Sequence, residues 1–387
     1  MEKKGDAYLD FVILSFVIGG FFDLFFGLLY LKYAIWGLAS VGMIVRLFGM
    51  NNLFELSKKL LSTYFVVVLF LIISFFYNGY EISFSLFYFS VLCVLLYFTE
   101  SKLSFSSTAI CLADRLFYWG YLFGIIYSMI GNHYFEEGTM VFEAIDEQNW
   151  TGVLVFIFFC YSWKLKRILG VFICLIYIIL LSESRGLHIM TFVFLFSIVF
   201  RKPLLWLMNF IFFNKAWKLN FIIIITTIIL SFYWILNVSV GELAGYREGF
   251  NDASNKMRFT ANVFAISMIY DEPRLILAGY DNNLKKHLGI SDDTADEVHT
   301  KENGVRLVQP HTAGVNLFVK LGVIPAIIAL IMISSLIDKL KQKDNIEMIL
   351  PYMFNSAFLT MYDIKWMLLW FFIIYMVNNS KNKTVSL

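Results

Sequence analysis

One apolar run follows another along this chain, and most are long enough to cross a lipid bilayer. The stretch FVILSFVIGGFFDLFFGLLY at 11–30 carries a single ionisable side chain, Asp23. Wound as a helix, such a run is about 30 Å long, the thickness of a hydrocarbon core. Backbone polar groups in lipid must pair within their own segment, so runs of this kind are expected to be helical. They predict helices near 9–31, 33–50, 60–77, 82–99, 107–130, 148–162, 167–183, 186–200, 219–240, 312–337, 346–362 and 364–378. The run at 203–213 is too short to span and reads as interfacial or as a cytoplasmic hairpin. The expected fold class is therefore an all-α polytopic membrane protein with about 12 transmembrane helices.

Composition agrees. Of the 387 residues, 59% are hydrophobic and 16% charged, against about 25% charged in soluble domains. A net charge of +2 argues against a nucleic-acid partner. Cys93, Cys111, Cys160 and Cys174 all lie within apolar runs and include no CxxC pair, so they read as small core hydrophobes. The opening MEKKGDAYLD leads straight into the first run, which reads as a retained spanning helix.

Lys and Arg fall on one side of the predicted spans: Lys3–Lys4, Lys58–Lys59, Lys164 to Arg167, Arg201–Lys202, Lys339 to Lys343 and Lys381–Lys383. That side is expected to be the cytoplasm. The opposite side receives Glu136–Glu137, Asp146–Glu147, the SESRG turn at 182–186, and a long polar stretch. The chain thus divides into N-terminal transmembrane helices (1–240), a large extracytoplasmic loop (241–311) and C-terminal transmembrane helices (312–387). Across 241–310 there are 8 Lys and Arg against 11 Asp and Glu, or −3, so the loop is no basic sheet. Its acidic run SDDTADE at 291–297 reads as a solvated face.

Within the loop, residues 254–270 predict one helix, capped by Ser254 or Asn255 and ended by Asp271-Glu272-Pro273. Its apolar stripe of Met257, Phe264 and Met268 is expected to lie on the membrane domain. Asp23, Arg46 and Asp114–Arg115 stand at membrane depth, where each needs a partner or water. Asp114 and Arg115 are adjacent and diverge by about 100° on a helix, so they need not pair with each other.

Arg185, Arg247, Arg258 and His311 are the candidate site residues. Arginine presents a planar, permanently charged fork that matches phosphate oxygens. At a membrane surface it suits a lipid-linked diphosphate, and it stabilises that group as it leaves, without a metal. Histidine can take a proton from an attacking hydroxyl. The plainer readings stay open: Arg185 as a headgroup anchor, Arg258 on a solvated helix face, and His311 as a helix cap. Arg247 and Arg274 read as structural more readily than as chemical.

Three short patterns resemble the O-antigen polymerase/ligase superfamily of bacterial membrane enzymes. They are S-x-S-R-G at 182–186; an Arg-bearing loop helix followed by Asp271-Glu272-Pro273 and Ala278-Gly279-Tyr280; and His311 ahead of Leu321-Gly322-Val323-Ile324. The family usually has His-Asn at the last feature, where this chain has His311-Thr312. The resemblance covers about 180–325 by motif. It implies a metal-independent, cofactor-free membrane glycosyltransferase of the bacterial inner membrane with its active site facing the periplasm. Arg185, Arg258 and His311 would be catalytic, with Arg185, Arg258 and Arg247 binding the carrier diphosphate. The implied partners are undecaprenyl-diphosphate-linked repeat units, membrane lipid and a chain-length regulator protein. A polymerase moves the growing glycan from undecaprenyl diphosphate onto a sugar hydroxyl of the next lipid-linked repeat unit. A ligase moves finished glycan onto lipid A-core. Polymerase is favoured, because polymerases vary widely and this chain carries only the family's minimal motifs. The alternatives are the ligase, a lipid-linked oligosaccharide flippase or transporter, and an assembly subunit without chemistry.

Overall fold

Where they are described, the apolar runs fold as helices in the computed structural model. It describes residues 7–28, 31, 35, 58–78, 83–100, 105–136, 138–145, 148–212, 222, 225–226, 228–229, 262, 265–266, 268–281, 312–339, 345–356 and 364–381. The chain divides into two units: Met1–Leu56, Glu100–Val199 and Leu369–Leu387 form one, and Ser57–Thr99 with Phe200–Leu368 form the other. The boundaries expected at 240 and 311 fall outside the described residues, as do Arg46 and all but a few positions of the runs at 33–50 and 219–240.

In the first unit, α1 (Ala7–Phe26) packs on α4 (Ser107–Gly131). α2 (Lys58–Tyr77) and α3 (Ser83–Glu100), apart from Glu100, belong to the second unit. The sequence Gly120-Tyr121-Leu122-Phe123-Gly124 puts two glycines on one face of α4, so α1 can approach closely. A Cβ at Gly124 would sit 2.6 Å from the Phe25 ring, and one at Gly120 would meet Phe21 at 3.5 Å. Phe25 fills the space and meets Tyr121 edge-on, ring centroids 5.4 Å apart. At 25 residues, α4 is the one described helix long and apolar enough to cross a membrane by length and composition. The other apolar helices among the described residues are shorter.

A hairpin follows where only a loop was expected. β1 (His133–Glu136) and β2 (Thr139–Phe142) pair antiparallel, with Glu136 opposite Thr139 and Gly138 in the turn at φ +75°. β2 is wholly buried while most of β1 is exposed.

α5 (Gln148–Lys164) is buried all round from Thr151 to Ser162, so it forms the centre of this unit. Its Phe156 stacks on Trp370 of the last helix, α12 (Ile364–Lys381), with ring planes 9° apart. α5 ends in a left-handed turn. The Lys166 N–H donates to the Trp163 carbonyl and the Arg167 N–H to the Ser162 carbonyl, with Lys166 at φ +58°. This is the bond pattern of a Schellman cap, with lysine where glycine is usual. α6 (Ile168–Ile176) then runs into a π-helical turn at Tyr177–Leu181, and α7 (Arg185–Val199) begins after Ser184.

The ionisable side chain of α4 has its partner on the next helix pair. Arg167 pairs with the Asp114 carboxylate, the Tyr161 hydroxyl donates to the same group, and the guanidinium lies 4.3 Å from the centroid of the Tyr118 ring. Asp114 therefore bonds across helices, in keeping with the expectation that it need not pair with Arg115.

The second unit holds α2, α3, α8 (Arg201–Phe212), a 3₁₀ turn at Pro273–Ile276, α9 (Ala313–Leu321), α10 (Val323–Lys339) and α11 (Ile346–Asn355). The single helix expected over 312–337 is two helices. Gly322 stands between them at φ +95°, a conformation that a helix interior does not contain.

The left-handed Lys166 gives a direct test of this turn. Lys166→Gly removes about 1–2 kcal/mol of left-handed strain and adds about 0.4–1 kcal/mol of unfolded-chain freedom. The variant should be more stable by about 0.5–1 kcal/mol, read as a higher thermal-unfolding midpoint of the detergent-solubilised protein. A lower midpoint would show that the lysine side chain makes a contribution larger than its strain.

Candidate functional site

Arg185 is the first residue of α7 and is exposed. The turn that places it is held from several sides. Ser182 Oγ accepts from the Ser184 N–H at 3.2 Å. The Glu183 N–H donates to Thr139 Oγ1 of β2 at 2.9 Å. The Glu183 carboxylate covers the hairpin turn so closely that a Cβ on Gly138 would lie 2.4 Å from it. Tyr177, in the π turn, donates its hydroxyl to the Met140 carbonyl. Ser182 and Ser184 are buried while Glu183 and Arg185 between and beyond them are exposed. The S-x-S-R-G segment is thus a braced turn that presents its charged residues outward.

His188 stands on the same exposed side of α7, three residues after Arg185. Its Nε2 lies 3.1 Å from the Ile178 carbonyl oxygen, within the π turn. Sequence reasoning passed over it. The signal was the spacing R-G-L-H, which puts arginine and histidine on one helical face. Farther along, Phe192, Leu195 and Val199 continue that face as an exposed apolar stripe.

The second unit contains the exit of the long loop. Asn262, Ala265, Ile266 and 268–271 are helical, and the helix ends at Asp271, as the Asp-Glu-Pro sequence predicts. Ala265 and Met268 are buried with Leu275, Tyr280, Val315 and Val319, so this helix packs on α9. Arg274 pairs with Glu272 at 3.1 Å and lies 4.7 Å from the Tyr280 ring centroid. That arrangement is structural, in line with its reading from sequence. Burial, and then the hydrogen bond with Glu272, push the Tyr280 phenol up to about 12, with Arg274 acting in the opposite direction.

Two of the short patterns prove to be one contact. Gly279 and Gly322 back onto each other: a Cβ on Gly279 would meet Lys320 and Gly322 backbone at 2.4–2.5 Å, and one on Gly322 would meet the Ala278 and Gly279 nitrogens at 2.9–3.0 Å. The Tyr280 and Asp281 N–H groups donate to the carbonyls of Val319 and Lys320, each at 2.9 Å. Asp281, 2% exposed, accepts from the N–H groups of Phe84 and Ser85 at 2.8 and 2.7 Å, and so caps α3. Asn78 donates to the Gly279 carbonyl at 2.9 Å. Neither Asp281 nor Asn78 was singled out in sequence, because their partners are far along the chain.

Thr312, where the resembled family has Asn, is buried at the start of α9 and accepts from Asn262 Nδ2 at 2.9 Å. Asn262 is four residues beyond Arg258 in sequence, and Thr312 directly follows His311. Arg247, Arg258 and His311 themselves lie outside the described residues. Family models, curated proteins and solved structures return no match to this chain.

The cap on α3 carries a prediction. Asp281→Ala strands two buried N–H groups and should cost about 1–2 kcal/mol, the usual worth of an N-cap. Gly279→Ala should cost more, since its Cβ would strike backbone and not a flexible side chain. Thermal unfolding of the two variants in detergent checks the order. Equal or reversed losses would show that Asp281, and not the glycine contact, holds the loop exit.

Proposed function

We propose that this chain is a multi-pass inner-membrane glycosyltransferase that polymerises O-antigen or a related surface polysaccharide. In this reading about twelve helices span the bilayer and the long loop faces the periplasm. The growing glycan, held on undecaprenyl diphosphate, is moved onto a sugar hydroxyl of the next lipid-linked repeat unit. Arg185, Arg258 and Arg247 are the diphosphate contacts in this reading, and Arg185 and Arg258 stabilise the charge that group gains on leaving. His311 takes the proton of the attacking hydroxyl.

The observation that carries this reading is the buried Asn262–Thr312 hydrogen bond. It joins the helical segment that follows Arg258 in sequence to the helix that follows His311 in sequence, two elements far apart along the chain. Support also comes from α7. Its exposed face offers a guanidinium in the first turn and apolar side chains below it, which suits a ligand with an anionic head and a hydrocarbon chain.

A deletion strain should carry lipid A-core capped with at most one repeat unit. Loss of even that single-unit band would favour the ligase or the flippase. In the purified protein, Arg185→Ala and Arg258→Ala should each lower chain extension by about 100- to 1000-fold. The Lys variants, which keep the charge but lose the fork, should retain part of the activity. Alanine variants that extend chains at the wild-type rate would remove the arginines from the reaction.

A further inference from the structure

The first turn of α7 carries a second polar side chain that the diphosphate site leaves unused. His188 lies three residues after Arg185, so the two Cβ atoms are about 5–6 Å apart on one exposed face. Its Nε2 faces the Ile178 carbonyl at 3.1 Å. A carbonyl oxygen only accepts, so Nε2 carries the proton, and in the tautomer that this bond selects the other ring nitrogen, Nδ1, is an acceptor. Nδ1 has no hydrogen bond among the described residues. A π turn frequently marks a functional position, and this one supplies the carbonyl that fixes the ring's tautomer.

We infer that His188 is a sugar-recognition residue, whose Nδ1 accepts a hydrogen bond from a hydroxyl of the first sugar on the carrier diphosphate. The inference rests on the reading of Arg185 as a diphosphate ligand. An anion cannot bond to the lone pair of Nδ1, because two acceptors repel, whereas a hydroxyl can donate to it. The anomeric carbon is bonded directly to a diphosphate oxygen, so the sugar's hydroxyls lie within a few ångströms of the anion. A side chain one helical turn from Arg185 has that reach. The simpler role, satisfying the Ile178 carbonyl alone, needs a donor but no acceptor, and this difference separates the two by experiment.

The test is binding of two lipids to the purified full-length protein: polyprenyl diphosphate, and the same lipid bearing one hexose. The wild type should bind the hexose-bearing lipid about 3- to 10-fold more tightly, the worth of one hydrogen bond. His188→Lys is the telling variant, since an ammonium can still donate to Ile178 but never accept. It should fold, bind the bare lipid at least as well, and lose the preference for the sugar. His188→Ala should lose the preference too, with bare-lipid affinity unchanged. A His188→Lys protein that keeps the full preference overturns the inference, as does a wild type that shows none. Arg185→Ala separates this from the underlying reading. It should weaken both lipids alike, and if it weakens neither, the diphosphate reading fails and the sugar subsite falls with it.

Discussion

Wherever the backbone leaves a helix in an apolar protein, N–H and C=O groups lose their partners, and an unpaired buried group costs about 1–3 kcal/mol. This chain has several such interruptions, and each is closed by a specific group. The turn after α5 bonds back to Ser162 and Trp163. The π turn before α7 has His188 on one of its carbonyls. The start of α3 takes the Asp281 carboxylate on two of its N–H groups. Among the described residues, these breaks are closed by Asp281, His188 and the main chain itself. Arg185, one of the proposed site residues, stands directly after one of them.

Glycine contributes in a second way, through absence of a side chain. At Gly120 and Gly124 the missing Cβ admits aromatic rings, which can shift a little if crowded. At Gly279 and Gly322 it admits backbone, which cannot. The second contact fixes where the loop returns to the helices, and with it the start of α10. Two patterns that look like separate family marks in sequence are thus the two halves of one requirement: a close crossing of main chains at which neither partner can carry a Cβ.

Where they are described, the helices were legible because long apolar runs decide them by length and polarity. Their interruptions were not. Gly322 in the run 312–337 costs a helix only about 1 kcal/mol by propensity, so the sequence reads as continuous. The contact with Gly279 that breaks it is 43 positions away. The hairpin escaped notice because four-residue strands are too short to display alternation, and β2 is buried on both faces. Within the site, Arg185 could be read from its place at the end of an apolar run, and the structure puts it at the start of α7. His188 had a signal in its R-G-L-H spacing from Arg185, but Asn262 and Asp281 had none, since each is defined by a partner in another element: Thr312, and the amides of Phe84 and Ser85.

Arg185 also stands where local physics disfavours it. The N-terminus of a helix carries the positive end of the macrodipole, and a cation there costs about 0.3–1 kcal/mol where an anion would gain as much. Glu183 offers some compensation two residues earlier, but its carboxylate is drawn over the Gly138 turn. The first turn of α7 thus combines an arginine with a positive helix end on an exposed surface, and the helix continues below as an apolar stripe through Phe192, Leu195 and Val199. An anion bound at this turn would reverse the sign of the dipole term, and an anion attached to a hydrocarbon chain would also match the stripe. The proposed lipid diphosphate meets both conditions with one molecule, whereas a headgroup anchor would need only the arginine.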